Sequence, residues 1–320
     1  MTNTTEYERA TIMGTYQVYS SGGVSGDYRG VQVNASGQII LASGLYVASG
    51  LGVVVQSGIN AVTTVLSGSV AAIPFTYEVS KLHISGTTPW AKIGYNSDVD
   101  SAAEEDLIVQ GGKYVFPSSG IQMMIKSTAT GDRGIAPIGS GAWSATIYYL
   151  DSGYLSKTET ITINGTSGAN TVATDILRVN NLRVTSVGGN AMPIGNLSLT
   201  DLSGTKTYGY ISSGQTRQRQ CVYTVPASNT LYITSIGFGI TGTAAGKDGV
   251  FTTRASWDDK AGAITSGFMM PLYEIGTVDA YVVKPLDPPT RLGSRVDLKV
   301  SVNVGNNTSK TNCVLQGWLE

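Results

Sequence analysis

The sequence predicts an all-β protein in which an amino-terminal arm and a Ser/Gly-rich ribbon precede antiparallel, jelly-roll-like β-sandwiches. The first evidence is composition: 40 of the 320 residues are Gly, and charged residues make up only 13% of the chain. The second is the recurrence of short runs rich in Val, Ile, Thr and Tyr, separated by Gly, Pro, Asn or Asp. β-Branched residues are stiff at χ1 and Gly is costly inside a helix, so these runs favour strands.

Residues 1–30 predict a flexible attachment arm. They are polar and end in the Ser/Gly-rich stretch SSGGVSGDYRG, a composition typical of segments that become ordered on a neighbouring molecule. The first residues include Glu6, Glu8 and Arg9, which is not the pattern of a secretory signal. We therefore expect this arm to attach the protein to a partner.

The ribbon, residues 31–72, alternates Ser-Gly pairs with short apolar runs and contains no charged residue. Three interpretations stay open. A membrane span over 39–55 fits the absence of charge, but Ser-Gly pairs interrupt it and it is shorter than the ~20 residues that a span needs. An ordinary buried sheet is the second interpretation. The favoured one is an oligomerisation stalk of intertwined chains, because runs this short cannot bury themselves alone.

Strand patterns continue to the carboxyl end and predict a first sandwich over 73–188 and a second over 189–320. IPFTYEVSKLHIS, residues 73–85, alternates as a strand does. Turns are expected at Asp151-Ser-Gly153 and at Asn164-Gly165, the strongest hairpin signal in the chain. The best helix candidate is SDVDSAAEEDL, residues 97–107.

The segment RVDLKVSVNV has the clearest alternation in the chain. Its apolar residues, which we expect on a buried face, are Val296, Leu298, Val300, Val302 and Val304. The intervening polar residues, which we expect on a solvated face, are Arg295, Asp297, Lys299, Ser301 and Asn303. A sheet with one buried and one wet face is typical of antiparallel sandwiches.

Motifs that would indicate catalysis or cofactor binding are weak. His83, the single histidine, lies in a strand-like run with no nucleophile motif, which favours a structural role. GFGITG, residues 237–242, matches a dinucleotide-binding pattern, but a Gly-rich loop and another strand follow it instead of the required helix. We therefore expect no cofactor and no catalytic residues.

Metal and redox sites are equally weak from the sequence. The acidic cluster, which lacks EF-hand spacing and favours a solvated turn or helix start, comprises Asp98, Asp100, Glu104, Glu105 and Asp106. We expect no metal site. Cys221 and Cys313 form neither a disulfide framework nor a zinc pattern; two buried thiols on facing strands are favoured, and a single disulfide stays open.

Four residues are candidates for binding. Arg217 and Arg219 alternate with glutamines and predict either a clamp for a carboxylate on a neighbouring subunit or a charged guard on a strand edge. Trp257 or Tyr273 would stack on a sugar ring if the distal sandwich binds a host glycan; burial in the core is the alternative for both aromatics. The net charge of −1 gives no general attraction to nucleic acid.

Several segments carry a family resemblance. They are KYVFPSS, the hairpin-like WSATIYYLDSGYLSKTETITINGT, the long DILRVNNLRVTSVG, the block NLSLTDLSGTKTYGYISSGQTRQRQCVYTVPASNTLYITS and the closing CVLQGWLE. Through them, the region from about Glu105 to Ser235 resembles virion structural proteins of tailed bacteriophages. VQVNASGQIIL also looks like the linker strands of phage head and tail attachments.

The resemblance implies a non-enzymatic virion component: a capsid decoration protein, a head or neck fibre, or a tail protein, assembled in the host cytoplasm. Intertwined strands of phage fibres are usually trimeric, so the expected partners are two further copies and a capsid, neck or tail protein. A receptor- or glycan-binding adhesin is the alternative function. A membrane-anchored surface protein, held through 39–55, is a third hypothesis.

Overall fold

The computed structural model describes residues 15–17, 30–33, 39–40, 54–57, 61–66, 69–241, 248–256, 270–278, 280–305 and 308–320. Nearly all of its regular structure is antiparallel strand, which confirms the predicted all-β class. The chain divides into two units, Met1–Ser85 and Gly86–Glu320. Most of the arm, the first three Ser-Gly pairs of the ribbon and Trp257 lie outside the described residues.

The amino-terminal unit contains two three-stranded antiparallel sheets and one short helix. The first sheet consists of β1 (Thr15–Gln17), β2 (Gly30–Val33) and β3 (Ile39–Ile40). The second is a meander of β4 (Val54–Ser57), β5 (Ala61–Leu66) and β6 (Ser69–Pro74), followed directly by α1 (Phe75–Ser80). Across the described residues, no helix is both long enough and apolar enough to cross a bilayer.

The helix α1 corrects the strand expected over 73–85. Side chains close this segment locally: Ser80 Oγ donates to the Tyr77 carbonyl, and His83 Nδ1 lies 2.8 Å from Glu78 Oε2. Such local hydrogen bonds compete with the backbone pairing of a sheet. The alternation of apolar and polar residues, from which the strand was predicted, carries no information about them. His83 therefore follows a helix instead of lying in a strand.

The carboxy-terminal unit contains sixteen described strands and a 3₁₀ turn at Gly165–Ser167. In chain order the strands are β7 (Thr88–Val99), β8 (Glu105–Asp106), β9 (Met123–Ser127), β10 (Ala142–Leu150), β11 (Ser156–Thr162), β12 (Ala169–Asn170), β13 (Arg178–Val187), β14 (Leu197–Asp201), β15 (Thr207–Ile211), β16 (Val222–Thr224), β17 (Leu231–Thr241), β18 (Asp248–Ala255), β19 (Met270–Val278), β20 (Tyr281–Leu292), β21 (Asp297–Val304) and β22 (Ser309–Leu319).

Two sandwiches build this unit, each around its own apolar core. In the first, the sheet β11-β10-β13 packs on the sheet β12-β9-β14-β15, and buried residues such as Ile125, Ile147 and Leu197 fill the space between them. In the second, the sheet β16-β21-β18-β19, which β8 joins through β21, packs on β20-β17-β22-β7. The stacked rings of Phe238 and Phe251 lie in this second core.

The two cores do not follow chain order. Trp90 and Leu107 belong to the second core, whereas Leu197 and Tyr208 belong to the first. Within the carboxy-terminal unit, the chain thus begins in the second sandwich, passes through the first and returns to the second. The division of 73–188 from 189–320 stays a prediction about folding units, but residues from both ranges contribute to each core.

The helix expected over 97–107 is wrong, because this segment contains the end of β7 and the short strand β8. Ser97 to Val99 complete β7, which pairs along its length with β22, and β8 pairs with β21. The acidic cluster is also less solvated than expected, because Asp106 is buried against Lys299 and Glu104 pairs with Arg254. Pairing with strands about 200 residues further along the chain overrides local helix propensity here.

The two predicted turns have different outcomes. Asp151-Ser-Gly153 closes the β10–β11 hairpin as expected, with Asp151 Oδ1 accepting the Gly153 and Leu155 amides at 2.9 Å. The hairpin expected at Asn164-Gly165 is wrong. The chain there crosses from β11 to β12 in the facing sheet, and Gly165, at φ 54°, donates its amide to the Asp132 carbonyl.

The apolar residues of β21 are buried, as predicted, but the prediction that its polar residues lie on a solvated face is wrong in part. Leu298, Val300, Val302 and Val304 are buried in the second core. However, Asp297 and Ser301 on the face expected to be wet are also buried. Other elements of the unit cover that face, and its charges are satisfied by side chains far away in sequence.

The most buried ion pair links the two sandwiches. Arg178, at the start of β13, forms a two-pronged pair with Asp297, at the start of β21: Nε–Oδ1 is 2.8 Å and Nη2–Oδ2 is 3.0 Å. Arg178 Nη1 also donates to the carbonyl of Pro117, and Thr224 Oγ1 donates to Asp297 Oδ1. Every oxygen of the carboxylate is therefore occupied.

We expect Asp297→Asn to lower the free energy of unfolding by about 3–5 kcal/mol, because it leaves the Arg178 charge buried without a counter-ion. Urea unfolding followed by tryptophan fluorescence measures this loss. The control is the double variant Arg178→Met with Asp297→Leu, which removes both charges and should lose clearly less. Equal losses in the two variants would contradict the assignment.

Candidate ligand-binding groove

An open groove of about 670 Å³ runs between the two sandwiches of the carboxy-terminal unit. One wall is the first half of β7, the edge strand of its sheet. The other wall comprises parts of β10, β11 and β13. Residues of the segment 217–223 complete it. Both sandwiches are needed to form this surface.

Trp90 and Lys92 of β7 occupy alternate positions and both point inward, as the two-residue period of a strand dictates. The Trp90 ring meets the Tyr223 ring edge-on, with centroids 5.1 Å apart. Lys92 Nζ donates to the carbonyl of Asn180 and lies 5.8 Å from the centre of the Tyr223 ring. The whole side chain of Lys92 is thus buried, with its ammonium on the Asn180 carbonyl beside the groove.

The Lys92 ammonium is a poorly compensated charge. Burial lowers the pKa of Lys92 to about 8; the Cys221 thiol acts weakly against this shift, and the nearby Arg183 adds to it. Among the residues that the structure describes, Lys92 forms no ion pair with a carboxylate. At neutral pH the group is nevertheless mostly charged, because its pKa still lies above 7.

Two arginines face each other on the neighbouring wall. An isolated antiparallel bridge pairs Arg183 of β13 with Arg217, and the amide of Gln218 donates to the Leu182 carbonyl at 3.0 Å. Both side chains are exposed, and the Arg183 guanidinium lies 5.6 Å from the centre of the Tyr148 ring. Like charges directly opposite on paired strands repel, and solvent screens the repulsion between these two exposed side chains.

Gln218 is the least satisfied side chain of the groove. It is only 5% exposed, yet neither its Oε1 nor its Nε2 has a hydrogen-bond partner. Its neighbour Gln220 places Nε2 on the Tyr208 carbonyl at 3.1 Å. Buried amides are normally paired, so this side chain is unusual; its Oε1 lies near Gly209 of β15, on the side of the first core.

Asn180 fixes the position of the groove floor. Its side chain accepts a hydrogen bond from the Thr224 amide and donates one to the Thr224 carbonyl, both at 2.8 Å. These are the two backbone groups that a neighbouring strand would otherwise pair with. This clamp holds β16 against β13, and the backbone carbonyl of the same residue receives Lys92. These hydrogen bonds therefore hold in place the strands that carry Lys92 and Arg183.

The electrostatic character of the groove is one-sided. Its described lining contains four cationic residues, Lys92, Lys157, Arg183 and Arg217, and neither Asp nor Glu. Lys157 is only loosely compensated, with Asp151 Oδ2 3.9 Å away at the surface. A cleft lined by one sign of charge concentrates ligands of the opposite sign. The arrangement is suited to binding an anion.

The sequence-predicted binding residues are separated by the fold. Arg217 lies in the groove, whereas Arg219 is half-buried over the Tyr95 ring, 4.9 Å from its centre. Tyr273 packs against the second core, and its hydroxyl lies 2.5 Å from Thr290 Oγ1. Contacts of the arginines with another subunit and sugar stacking by Tyr273 stay predictions, and Trp257 lies outside the described residues.

Lys92, Arg183 and Gln218 were missed from the sequence. They lie far apart along the chain, and no spacing relates them. The alternation in TRQRQ did indicate that Arg217 and Gln218 lie on opposite sides of the segment, and their exposure confirms it. The unusual feature, a buried glutamine without partners, becomes visible only in the fold.

Other chemically suggestive residues have structural roles. Gly237 and Gly239 lie inside β17 under the Tyr281 ring, where a Cβ would clash, which confirms that GFGITG does not open a helix. Cys221 and Cys313 are buried free thiols with sulfurs 3.2 Å apart, as favoured. Burial, more than the adjacent Cys221, raises the pKa of Cys313, so its thiolate is disfavoured.

The lowered pKa of Lys92 predicts a pH dependence of stability. Between about pH 8 and pH 10 the unfolded chain holds a proton on Lys92 that the folded chain has released. The contribution of this lysine to the free energy of unfolding should therefore rise with pH across that window, by roughly 2–3 kcal/mol in all. Urea unfolding of the native protein and of Lys92→Met, at several pH values, isolates it.

Taking the difference between the two proteins cancels the contributions of all other titrating groups. As pH rises, the free energy of unfolding of the native protein should increase relative to that of Lys92→Met. At neutral pH the variant should be the more stable of the two. A difference that stays constant with pH would show that Lys92 is not desolvated.

Gln218→Met tests the unsatisfied amide by itself. The change keeps the side-chain volume and removes two buried polar atoms without partners, so we expect the free energy of unfolding to increase by about 1 kcal/mol. The matched control is Gln220→Met, which breaks a hydrogen bond to Tyr208 and should lose a similar amount. A destabilised Gln218→Met protein would mean that this amide has a partner.

Comparisons with known proteins give no assignment for this groove. No protein-family model and no curated protein matches the chain.

Proposed function

We propose that this protein is a non-enzymatic structural component of a tailed-phage virion. In this proposal it attaches to the capsid, neck or tail through its amino-terminal region and assembles as a homotrimer. The resemblance of several segments between Glu105 and Ser235 to tailed-phage structural proteins supports this class. The sandwich architecture of the carboxy-terminal unit is consistent with a projecting module.

The meander β4-β5-β6 is the observation that carries the assembly part of the proposal. Among the described strands, β4 and β6 are the edges of this sheet, and the sequence has no charged residue from Gly30 to Tyr77. Natural edge strands are usually guarded by charges, above all by lysine, because their free N–H and C=O groups pair readily with another chain. In the proposal, strands from further copies pair with these unguarded edges.

A ligand-binding module is a second candidate function, and the groove favours it. This candidate corresponds to the adhesin alternative, but it places the ligand on Lys92, Arg183 and Arg217 instead of on Trp257 or Tyr273. The two candidates are compatible, because assembly uses the amino-terminal unit and the groove belongs to the carboxy-terminal unit.

Assembly through the meander predicts the mass of the particle in solution. Light scattering on the full-length protein should give three chains, and Val55→Lys, which puts a charge on the edge strand β4, should shift the protein to smaller species. The matched control is Val172→Lys, at a side chain 87% exposed in the carboxy-terminal unit, which should leave the mass unchanged.

A monomeric full-length protein, or a Val55→Lys protein that keeps its full mass, would overturn assembly through this sheet. Equal dissociation of the Val172→Lys control would instead point to a general effect of added charge. Near-ultraviolet circular dichroism on each variant checks that the carboxy-terminal unit stays folded.

A further inference from the structure

We propose that Cys221 and Cys313 are the two halves of an inter-sheet disulfide, which forms when the protein meets an oxidant of the disulfide class and locks the second sandwich. Both thiols are free in the structure, which therefore describes the reduced form. This inference goes beyond the proposed function and does not depend on it, because it concerns the carboxy-terminal unit alone.

The two sulfurs are in contact inside the protein. Cys221 is 1% exposed and Cys313 0% exposed, and their Sγ atoms lie 3.2 Å apart. This separation exceeds the bonded length of a disulfide by only about 1.2 Å. The 320-residue chain has two Cys, and they are 92 positions apart in sequence. The fold therefore brings together the only two residues of the chain that could form this bond.

The pair spans the core of the second sandwich. Cys313 lies in β22, between Phe238 of β17 and Gly94 of β7. Cys221 directly precedes β16 and belongs to the facing sheet, because its carbonyl accepts the amide of Val300 in β21 at 3.1 Å. A bond between the two sulfurs would thus tie one sheet to the other across the core.

Gly94 leaves the space that Cys221 occupies. It is the β7 residue opposite Cys313, and a Cβ added to it would lie 2.5 Å from the Cβ of Cys221. The same added atom would lie 2.9 Å from the Cβ of Leu107, and real Cβ atoms essentially never approach others so closely. Because position 94 has no side chain, Cys221 packs directly on the strand pair β7–β22 and its sulfur reaches Cys313.

Thiol–disulfide exchange supplies the reaction. One cysteine thiolate attacks oxidised glutathione, forms a mixed disulfide and releases one glutathione thiolate. The second cysteine thiolate then attacks the protein sulfur of the mixed disulfide, so that the Sγ–Sγ bond forms and the second glutathione leaves. The protein loses two protons and two electrons, and the two released glutathione molecules take them up.

Burial decides when the bond forms. Burial raises the pKa of Cys313, which disfavours its thiolate, and the core shields both sulfurs from an oxidant. Oxidation of the folded protein therefore needs local opening of the sandwich, whereas oxidation during folding does not. A reducing cytoplasm keeps such thiols free, and an oxidising medium fixes the bond in every molecule that opens.

The bond should stabilise the protein mainly by restricting the unfolded chain. The loop that it closes contains all strands from β16 to β21. Closing a long loop removes much conformational entropy from the unfolded chain, although strain in the folded state reduces the gain. We expect the melting temperature of the oxidised protein to exceed that of the reduced protein by at least about 5 °C.

Redox equilibration of the full-length protein in glutathione buffers tests the pair. Acid quenching, alkylation and intact mass give the oxidised fraction, and peptide mapping identifies the bond. The equilibrium constant for oxidation should be at least about 100-fold larger for the native protein than for the protein in urea. By thermodynamic linkage, this ratio equals a gain in stability of about 2.7 kcal/mol. The oxidation rate should nevertheless be lower for the native protein, because its thiols are buried.

Three variants assign the effect. Cys313→Ala cannot form the bond, so the oxidant should leave its melting temperature unchanged. Gly94→Ala displaces Cys221 and should lower the equilibrium constant of the native protein at least about tenfold. The matched control is Gly276→Ala in the edge strand β19, where the added Cβ meets only the Gly249 carbonyl oxygen, at 4.0 Å. It should leave the constant unchanged.

Several outcomes would overturn the proposal. They are equal equilibrium constants in native buffer and in urea, a lower melting temperature of the oxidised protein, and disulfides that link separate copies on non-reducing gels. A folded Gly94→Ala protein with an unchanged constant would contradict the placement of Cys221 on which the proposal rests. If Gly94→Ala does not fold, as near-ultraviolet circular dichroism would show, the ratio measured on the unmodified sequence decides alone.

Discussion

The buried pair between Arg178 and Asp297 is the interaction on which the arrangement of the two sandwiches depends. Arg178 is the first residue of β13 in the first sandwich, and Asp297 is the first residue of β21 in the second. The ion pair therefore fixes the starts of these two strands next to each other. A buried charge is tolerated only when its counter-ion and hydrogen bonds are complete. The additional contacts with Pro117 and Thr224 complete them, which makes the junction specific as well as strong.

The groove is a consequence of the same junction. Two residues after Arg178, Asn180 clamps the backbone of β16, and its carbonyl receives Lys92 from the edge strand β7. Five residues after Arg178, Arg183 reaches the groove opposite Arg217. The strand β13 therefore carries, in one short segment, the residue that joins the sandwiches and the residues that shape the surface between them.

The charges in this unit are distributed unevenly. Around β8, carboxylates and cations are matched: Glu104 pairs with Arg254 and Asp106 with Lys299. At the groove, Lys92, Arg183 and Arg217 form no ion pair with a described carboxylate, and Gln218 is unsatisfied. Lys92 is thus a buried cation whose pKa is lowered, and residues with perturbed pKa values are concentrated where proteins bind ligands.

The sequence by itself determined the all-β class, the turn at Asp151-Ser-Gly153, the buried apolar face of β21 and the burial of both cysteines. These features follow from side-chain period, turn chemistry and the general burial of thiols, which act over a few residues. Tertiary structure alone decided that 97–107 extends a sheet, that Asn164-Gly165 crosses between sheets, and that Asp297 is buried against Arg178. It also brought Lys92, Arg183 and Gln218 to one groove. Each of these depends on pairing between residues distant in sequence, whose free energy outweighs local preference and leaves no periodic trace in the chain.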